Sequence, residues 1–249
     1  METQKETPSW RDFLDRVVPG SPVDKIIGMI YGHALGDAVG LITEFKFKRD
    51  AHKVIFPYTE SVRGFPVCDW TDDTDHLILV MQSMIASNFT LDKQDMTCRL
   101  KTWVSTGFKE LGDDVGKGLG GTMNMVINHP KFLENPNEAS AEIWYNSGKR
   151  LAANGSLMRT SIVGALPDPF VVEAWAAELS KITHADPRCT SSCVLQSTII
   201  HDLIYRGVES PGDVDALLQH CVKIARKFVQ NEEEPVIFGD IHHQPTPAA

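Results

Sequence analysis

The apolar residues of this chain recur at three- and four-residue intervals along nearly its whole length. This spacing places them on one face of an α-helix, whereas a half-buried strand requires strict alternation of apolar and polar residues. We find no convincing alternating run, no internal repeat and no linker between domains. The sequence therefore predicts an all-α fold with a single compact, multi-helix domain.

The first predicted helix, over residues 26–43, combines apolar residues with glycines at positions 28, 32, 36 and 40. Each glycine costs about 1 kcal/mol of helix propensity relative to alanine, so close packing or a functional site must offset that cost. We therefore expect this helix to be buried. Further helices are expected over residues 71–85, 93–104, 138–147, 155–165, 170–182, 187–203 and 211–229, several of them starting after a capping Asp or a proline.

Domain boundaries follow from the polar ends of the chain. Residues 1–22 are interpreted as a polar N-terminal arm, residues 23–230 as the helical domain, and residues 231–249 as a tail expected to be disordered. The tail contains a short apolar stub at positions 236–238, which is typical of an unfinished segment as well as of a solvated tail.

Charge and apolar length exclude several classes of partner. Lys and Arg number 24 against 33 Asp and Glu, a net charge of −9, and duplex nucleic acid requires a basic face instead.

The longest strongly apolar uncharged stretch, residues 26–34, is far shorter than the roughly 20 residues that span a bilayer, and the N-terminus lacks a secretory pattern. Five cysteines without CxxC spacing indicate reduced thiols. We expect a cytoplasmic or nuclear protein that binds neither membrane nor duplex nucleic acid.

The densest chemical signal is the acidic run at positions 71–75, which holds three carboxylates and two hydroxyls directly before an apolar helix. Helix capping accounts for one or two of these carboxylates. Neighbouring carboxylates repel unless a cation lies between them, and oxygen donors of this kind suit Mg²⁺ or Mn²⁺. Capping and metal binding both remain open from these residues alone.

Two carboxylates lie near the end of the glycine-striped helix. Asp37 and Glu44 lie two helical turns apart, so both can face the same side. They are either surface acids at a frayed helix end or groups that orient a water at a reacting centre.

Two glycine-containing loops and one histidine complete the candidate set. Residues 116–122 and 152–156 offer backbone N–H groups to phosphate oxygens, although neither has the order of a P-loop and most such loops are only turns. His184 lies between two predicted helices, where a packed side chain is the more common role.

In this order, the stretches Gly36–Gly40 with Glu44, Thr71–Thr74, Gly116–Gly121, Asn154–Arg159 and Thr183–Ala185 resemble the ADP-ribosylglycohydrolase family. The resemblance implies an all-helical hydrolase that removes ADP-ribose from a modified protein side chain or a small acceptor by cleaving the glycosidic bond at C1″. It also implies a site for two Mg²⁺ ions, with Mn²⁺ as a substitute.

The same resemblance implies roles for individual residues. Thr71, Asp72 and Asp73 would bind metal, and Glu44, Asp72 and Asp73 would be catalytic. Gly118, Gly120, Asn154, Gly155 and Ser156 would bind substrate by holding the diphosphate, and His184 would lie near the adenosine-side ribose.

One departure from the family pattern is clear. The late Gly-Gly-Asp-x-Asp-Thr motif, which completes the metal site in the family, is absent after His184, and the nearest acidic residues are Asp213, Asp215 and Asp240. We therefore expect a C-terminally shortened member with apolar helix faces left exposed. The alternative function is a non-catalytic ADP-ribose-binding or structural homologue. An unrelated dinuclear-metal phosphohydrolase is disfavoured, since the only His-Asp pair of the required kind is His201-Asp202, late in a helix.

Overall fold

The computed structural model describes residues 9–47 and 61–229. In these ranges the chain forms ten α-helices and no β-strand, which confirms the all-α prediction; a lone β-bridge joins Val62 to Phe65. The helices are α1 (Trp10–Leu14), α2 (Pro22–Gly40), α3 (Asp72–Ala86), α4 (Lys93–Thr106), α5 (Gly121–Ile127), α6 (Pro136–Asn146), α7 (Leu157–Thr160), α8 (Pro169–Lys181), α9 (Pro187–Tyr205) and α10 (Pro211–Arg226).

Several helices begin where the capping residues predict. Asp92 accepts a hydrogen bond from the backbone of Asp95 at 2.9 Å and starts α4. Asp186 caps α9 with Pro187 in its first turn, and Ser210 caps α10 in the same way. These side chains accept hydrogen bonds from backbone N–H groups that have no partner inside the helix, so the boundary is set locally.

The stretch over residues 155–165 is not the single α-helix that we expected. It consists of α7 followed by a 3₁₀ helix, Ser161–Ala165. A Cβ atom on Gly164 would lie 2.6 Å from the carbonyl oxygen of Ser197, so this segment packs directly on the backbone of α9. Packing between segments, and not the local apolar spacing, determines its geometry. Two short helices, α1 and α5, were also missed, because a helix of five or seven residues has too few turns to show a periodicity.

The hydrophobic core lies between α3, α4, α5, α8 and α9. α9 packs against α8, α10 and the 3₁₀ helix, and α3 packs against α4 and α7. Fully buried side chains in this core include Leu77, Leu100, Trp103, Ile127, Phe132, Leu179, Ile182 and Val194.

The prediction that the glycine-striped helix is buried is wrong for the described part of the chain. No residue of α2 is buried, and the side chains of Tyr31 and Leu35 are 65% and 64% exposed. α2 packs against α3 and α9, where Lys25 donates hydrogen bonds to the last carbonyls of α9, and its other sides face solvent. Apolar spacing identified the helix but carried no information about how many neighbours surround it.

Length and apolarity also qualify one described segment, Pro22–Thr43, as able to cross a membrane, contrary to the sequence-based expectation. In the structure, this segment is joined to α3 by polar contacts. His33 lies 3.1 Å from the carbonyl oxygen of Asp73, and Asp37 accepts hydrogen bonds from the start of α3.

The predicted N-terminal arm contains α1, which has no buried residue, and the predicted tail 231–249 lies outside the described residues. All five cysteines are free thiols; Cys189, Cys193 and Cys221 are buried.

Candidate active site

A cavity of about 560 Å³ opens where five helix ends meet. Its walls come from the end of α2 with the following 3₁₀ helix, from the start of α3, and from the loops that precede α5, α7 and α9. Helix ends leave backbone groups without partners inside the helix, so this meeting point is rich in free polar groups.

The structure brings the two acidic segments together in this cavity. Glu44, Thr71, Asp72 and Asp73 all line it, although Glu44 and Thr71 are separated by more than two dozen residues in the sequence. Thr71 is the N-cap of α3, and its hydroxyl accepts a hydrogen bond of 3.4 Å from the backbone of Asp73. Thr71 therefore both caps α3 and lines the cavity.

Asp37 positions the start of α3. Its carboxylate accepts hydrogen bonds from the hydroxyl groups of Thr71 and Thr74, each at 2.7 Å, and from their backbone N–H groups at 2.9 and 3.1 Å. With four donors on one carboxylate, Asp37 acts as a second cap supplied from another helix. Its main role in the structure is therefore to hold Thr71 and Thr74 in place.

The carboxyl groups of Asp72 and Asp73 are harder to ionise than ordinary aspartates, because they are buried and lie near other acidic groups. Burial, followed by the neighbouring Asp73, raises the pKa of Asp72 to about 8. Burial, followed by Asp37, raises the pKa of Asp73 to about 6. Such shifts indicate that the site favours a proton or another cation next to these carboxylates. Glu44 differs, since it forms an ion pair with Arg63, whose guanidinium also lies over the ring of Phe45.

The donor set has the chemistry that Mg²⁺ prefers. The Thr71 hydroxyl and the carboxylates of Asp72 and Asp73 are hard oxygen donors at one cavity wall. Across residues 9–47 and 61–229, no group of three or more His, Cys, Asp or Glu side chains could hold a metal ion. Mg²⁺ usually keeps several waters and is bound through one or two carboxylates plus substrate oxygens. The residues present therefore fit part of a magnesium coordination shell.

The loop before α5 lies directly against Asp72. Gly118 has a φ of +94°, and a Cβ atom there would lie 2.2 Å from Oδ1 of Asp72. Only glycine fits both the backbone conformation and the space. Gly118 and Gly120 both line the cavity, so this loop brings backbone groups next to the acidic wall.

The loop before α7 is only partly directed to the cavity. Asn154 and Gly155 line it. Ser156 does not, because its side chain is fully buried and its hydroxyl accepts a hydrogen bond of 3.0 Å from Ser180. Ser156 therefore ties the loop to α8.

His184 lines the cavity from the loop before α9, with only 1% of its surface exposed. Nδ1 lies 2.8 Å from the hydroxyl of Thr183, and Nε2 has no hydrogen-bond partner in the described part of the protein. Burial, followed by the positive charge of Arg159, lowers the pKa of His184 to about 3, so the ring is neutral near pH 7.

Sequence reasoning missed several residues of the cavity wall. Met123, Leu157 and Met158 provide apolar surface, and Gln196 provides an amide whose buried oxygen has no partner among the described residues. Leu157 and Met158 belong to the quoted Asn154–Arg159 stretch, which was a usable signal. Gln196 lies in the middle of α9, where nothing in the local pattern distinguishes it.

Comparison with known proteins gives a consistent result. A sequence model of the ADP-ribosylglycohydrolase family matches residues 19–242. The chain is 25% identical, over 73% of its length, to the ADP-ribosyl-[dinitrogen reductase] glycohydrolase of Rhodospirillum rubrum. It is 24% identical, over 82% of its length, to the ADP-ribosylarginine hydrolase Tri1 of Serratia proteamaculans (strain 568). The matched regions span 58% and 54% of the lengths of these two relatives.

Proposed function

The chain belongs to the ADP-ribosylglycohydrolase family, and from this we propose that it is a Mg²⁺-dependent hydrolase that removes ADP-ribose from a modified protein side chain or a small acceptor. The bond cleaved is the glycosidic bond at C1″. The single observation that supports this proposal best is the cavity that gathers Glu44, the Thr71–Asp73 run, the glycine loops and His184.

The two kinds of cavity wall match the two kinds of group in ADP-ribose. Backbone N–H groups of the loops at Gly118–Gly120 and Asn154–Gly155 suit the oxygens of a diphosphate. The acidic wall at Glu44 and Thr71–Asp73 suits a sugar that develops positive charge at C1″ during cleavage. Both walls face one cavity of about 560 Å³, within the size range of small-ligand sites.

Mg²⁺ would be held by Thr71, Asp72 and Asp73, and when bound it supplies positive charge that orients ribose hydroxyls and acidifies a water. The Thr71 hydroxyl donates its proton to Asp37 and accepts a hydrogen bond from the backbone of Asp73, so one lone pair of its oxygen remains for a metal ion. Glu44 is the candidate acceptor for a proton from the attacking water, because its carboxylate lies on the same cavity. Gly118, pressed against Asp72, limits the space beside that carboxylate.

The test is release of ADP-ribose from ADP-ribosylated peptides in the presence of Mg²⁺. Peptides modified on arginine and on serine, and a small ADP-ribosylated acceptor, are compared side by side. We expect release by the wild-type protein and loss of at least 100-fold in Asp72→Ala, since one group that acts in the transition state commonly contributes two or more orders of magnitude. Asp69→Ala is the matched control, because Asp69 lines a different cavity. Equal, background-level release by wild type and Asp72→Ala on all three substrates would contradict the proposal.

A second candidate function is metal-independent binding of ADP-ribose without hydrolysis. It is supported by the lack of any three-residue His, Cys, Asp or Glu metal group within residues 9–47 and 61–229. Calorimetry with ADP-ribose, with and without Mg²⁺, separates the two. Equal affinity in both conditions together with no turnover supports the binder, whereas turnover that requires Mg²⁺ supports the hydrolase.

A further inference from the structure

Three buried polar side chains form a hydrogen-bonded chain behind the cavity. Arg159 is fully buried, and its Nη2 donates to the hydroxyl of Thr183 at 2.7 Å and to the carbonyl of Leu179 at 2.8 Å. Nη1 donates to the carbonyl of Gly155 at 3.0 Å. The Thr183 hydroxyl in turn lies 2.8 Å from Nδ1 of His184. Arg159 does not line the cavity, so it can contact a ligand there only through its neighbours.

The proton positions in this chain follow from donor and acceptor capacity. Arg159 can only donate, so Thr183 Oγ1 accepts from it and must direct its own proton elsewhere. The one other partner of this hydroxyl among the described residues is Nδ1 of His184. A hydroxyl that instead accepted from both sides would leave its proton buried without an acceptor, which is unfavourable. Thr183 therefore donates to Nδ1.

A neutral imidazole carries one proton, so an accepting Nδ1 places that proton on Nε2. The depressed pKa of His184 supports the neutral form. The Nε2 edge of the ring faces the loop at Gly155, where a Cβ atom would lie 3.5 Å from Nε2 and 3.2 Å from Cε1. Both His184 and Gly155 line the cavity, and Nε2 has no partner in the described part of the protein.

We propose that Thr183, held by Arg159, is a positioning residue that keeps His184 in the Nε2–H tautomer, so that the ring presents a hydrogen-bond donor to an acceptor atom of the cavity ligand. The identification of that ligand as ADP-ribose rests on the proposed function, whereas the tautomer does not. The group recognised is a hydrogen-bond acceptor of the ligand, an oxygen or a nitrogen atom, because Nε2–H can only donate.

The tautomer is tested directly by long-range ¹H–¹⁵N correlation spectra of the histidine rings. His184 is assigned by the signals that disappear in His184→Gln. We expect a protonated Nε2 and an unprotonated Nδ1 in the wild-type protein without ligand. A protonated Nδ1 in that spectrum would overturn the proposal; the tautomer is read from the wild-type protein, and His184→Gln serves only to assign the signals.

The positioning role is tested by Thr183→Val, which removes the hydroxyl and nearly keeps the volume. We expect the His184 signals to move toward a mixture of both tautomers, whereas Thr183→Ser retains the wild-type pattern. Thr198→Val is the matched control, since the hydroxyl of this buried threonine bonds to carbonyls of its own helix and to Cys221, away from Arg159 and His184. A wild-type pattern in folded Thr183→Val would overturn the role. Should that variant not fold, loss of the wild-type tautomer in Thr183→Ser would overturn it equally.

Calorimetry with ADP-ribose then tests whether the donor is used. We expect affinity to fall about tenfold in Thr183→Val, equivalent to about 1.4 kcal/mol, and to change less than twofold in Thr183→Ser and Thr198→Val. Unchanged affinity in Thr183→Val would overturn the proposed donor. If the wild-type protein does not bind ADP-ribose, the proposed function fails, while the spectra still decide the tautomer.

Discussion

Thr71 donates two hydrogen bonds to Asp37, one from its backbone N–H to Oδ2 at 2.9 Å and one from its hydroxyl to Oδ1 at 2.7 Å. Thr74 adds two more to Oδ2. A carboxylate near the end of α2 therefore holds the first turn of α3, and with it the side chains of Asp72 and Asp73 at the cavity wall. The position of the acidic run depends on a residue that lies more than thirty positions earlier in the chain.

Asp37→Asn tests this dependence. The asparagine amide keeps one acceptor oxygen, while its NH₂ group faces N–H and hydroxyl donors of Thr71 and Thr74 and cannot accept from them. The free energy of unfolding is therefore expected to fall by about 2 kcal/mol. Urea unfolding measures the change. Asp215→Asn, an exposed acid on α10, is the control and is expected to change stability by less than about 0.5 kcal/mol. A loss no larger than in this control would show that Asp37 does not hold α3.

Gly118→Ala is expected to weaken ADP-ribose binding at least tenfold and to destabilise the fold by about 1–3 kcal/mol, because it combines a positive φ with a Cβ atom placed 2.2 Å from Asp72. Gly112→Ala is the matched control, because Gly112 has the same φ of +94° and lines a different cavity. A Cβ atom there meets nothing within 4 Å, so ADP-ribose binding is expected to change little. Calorimetry measures the affinity of both variants for ADP-ribose, and urea unfolding measures their stability. Equal losses of affinity in the two variants would contradict the prediction.

Magnesium binding is expected to require Asp73. Calorimetry with MgCl₂ after removal of metal by EDTA should show binding to the wild-type protein, and Asp73→Asn should weaken it at least tenfold, since one of the carboxylates is lost. Asp69→Asn removes a carboxylate a few residues earlier that lines another cavity, and it should bind Mg²⁺ as the wild type does. Similar affinities in the two variants would remove Asp73 from the metal site.

His76 is expected to lower stability in acid. Its ring is fully buried against Trp103, both nitrogens lack partners among the described residues, and burial holds its pKa well below the ordinary value of 6.5. The folded state keeps this histidine neutral, while the unfolded state binds a proton below pH 6.5. The free energy of unfolding is therefore unaffected by this histidine above pH 6.5. Below that pH it falls by about 1.4 kcal/mol per pH unit, because only the unfolded state binds the proton.

His76→Leu should therefore gain stability relative to the wild type as the pH falls from 6.5 toward 5, by about 2 kcal/mol over that range. The difference between the two proteins is the quantity to measure. Asp72 and Asp73, whose pKa values are raised, act in the opposite direction and are common to both proteins. The difference at pH 8 isolates the packing effect of leucine. A difference that does not vary between pH 8 and pH 5 would contradict the prediction.

Helix boundaries and the chemical identity of the acidic run were readable in the sequence. Asp92 and Asp186 accept hydrogen bonds from residues two or three positions ahead, so the capping geometry needs nothing beyond the local chain. The same holds for the Thr71 cap of α3. Apolar spacing likewise reports which face of a helix is buried when a core is present, as it does for Leu77 and Leu100.

Other properties of the site depend on contacts between distant segments. The sequence placed Asp37 among candidate reacting groups, but its oxygens are taken by Thr71 and Thr74. Ser156 belongs to a predicted substrate loop, yet its side chain packs against Ser180 on α8. Arg63 pairs with Glu44 and Gln196 enters the cavity wall without any local signal for either.

Properties that the sequence predicts differ from those that only the fold decides in the distance along the chain over which the interaction acts. Caps and periodicity join residues within about four positions, and the backbone geometry of a helix already brings those together, so residue types alone determine them. Burial of α2, the direction of Ser156 and the proton position on His184 depend on which helices pack against one another. That packing is a balance of many small contacts between segments far apart in the chain, and it emerges only when the whole fold has formed.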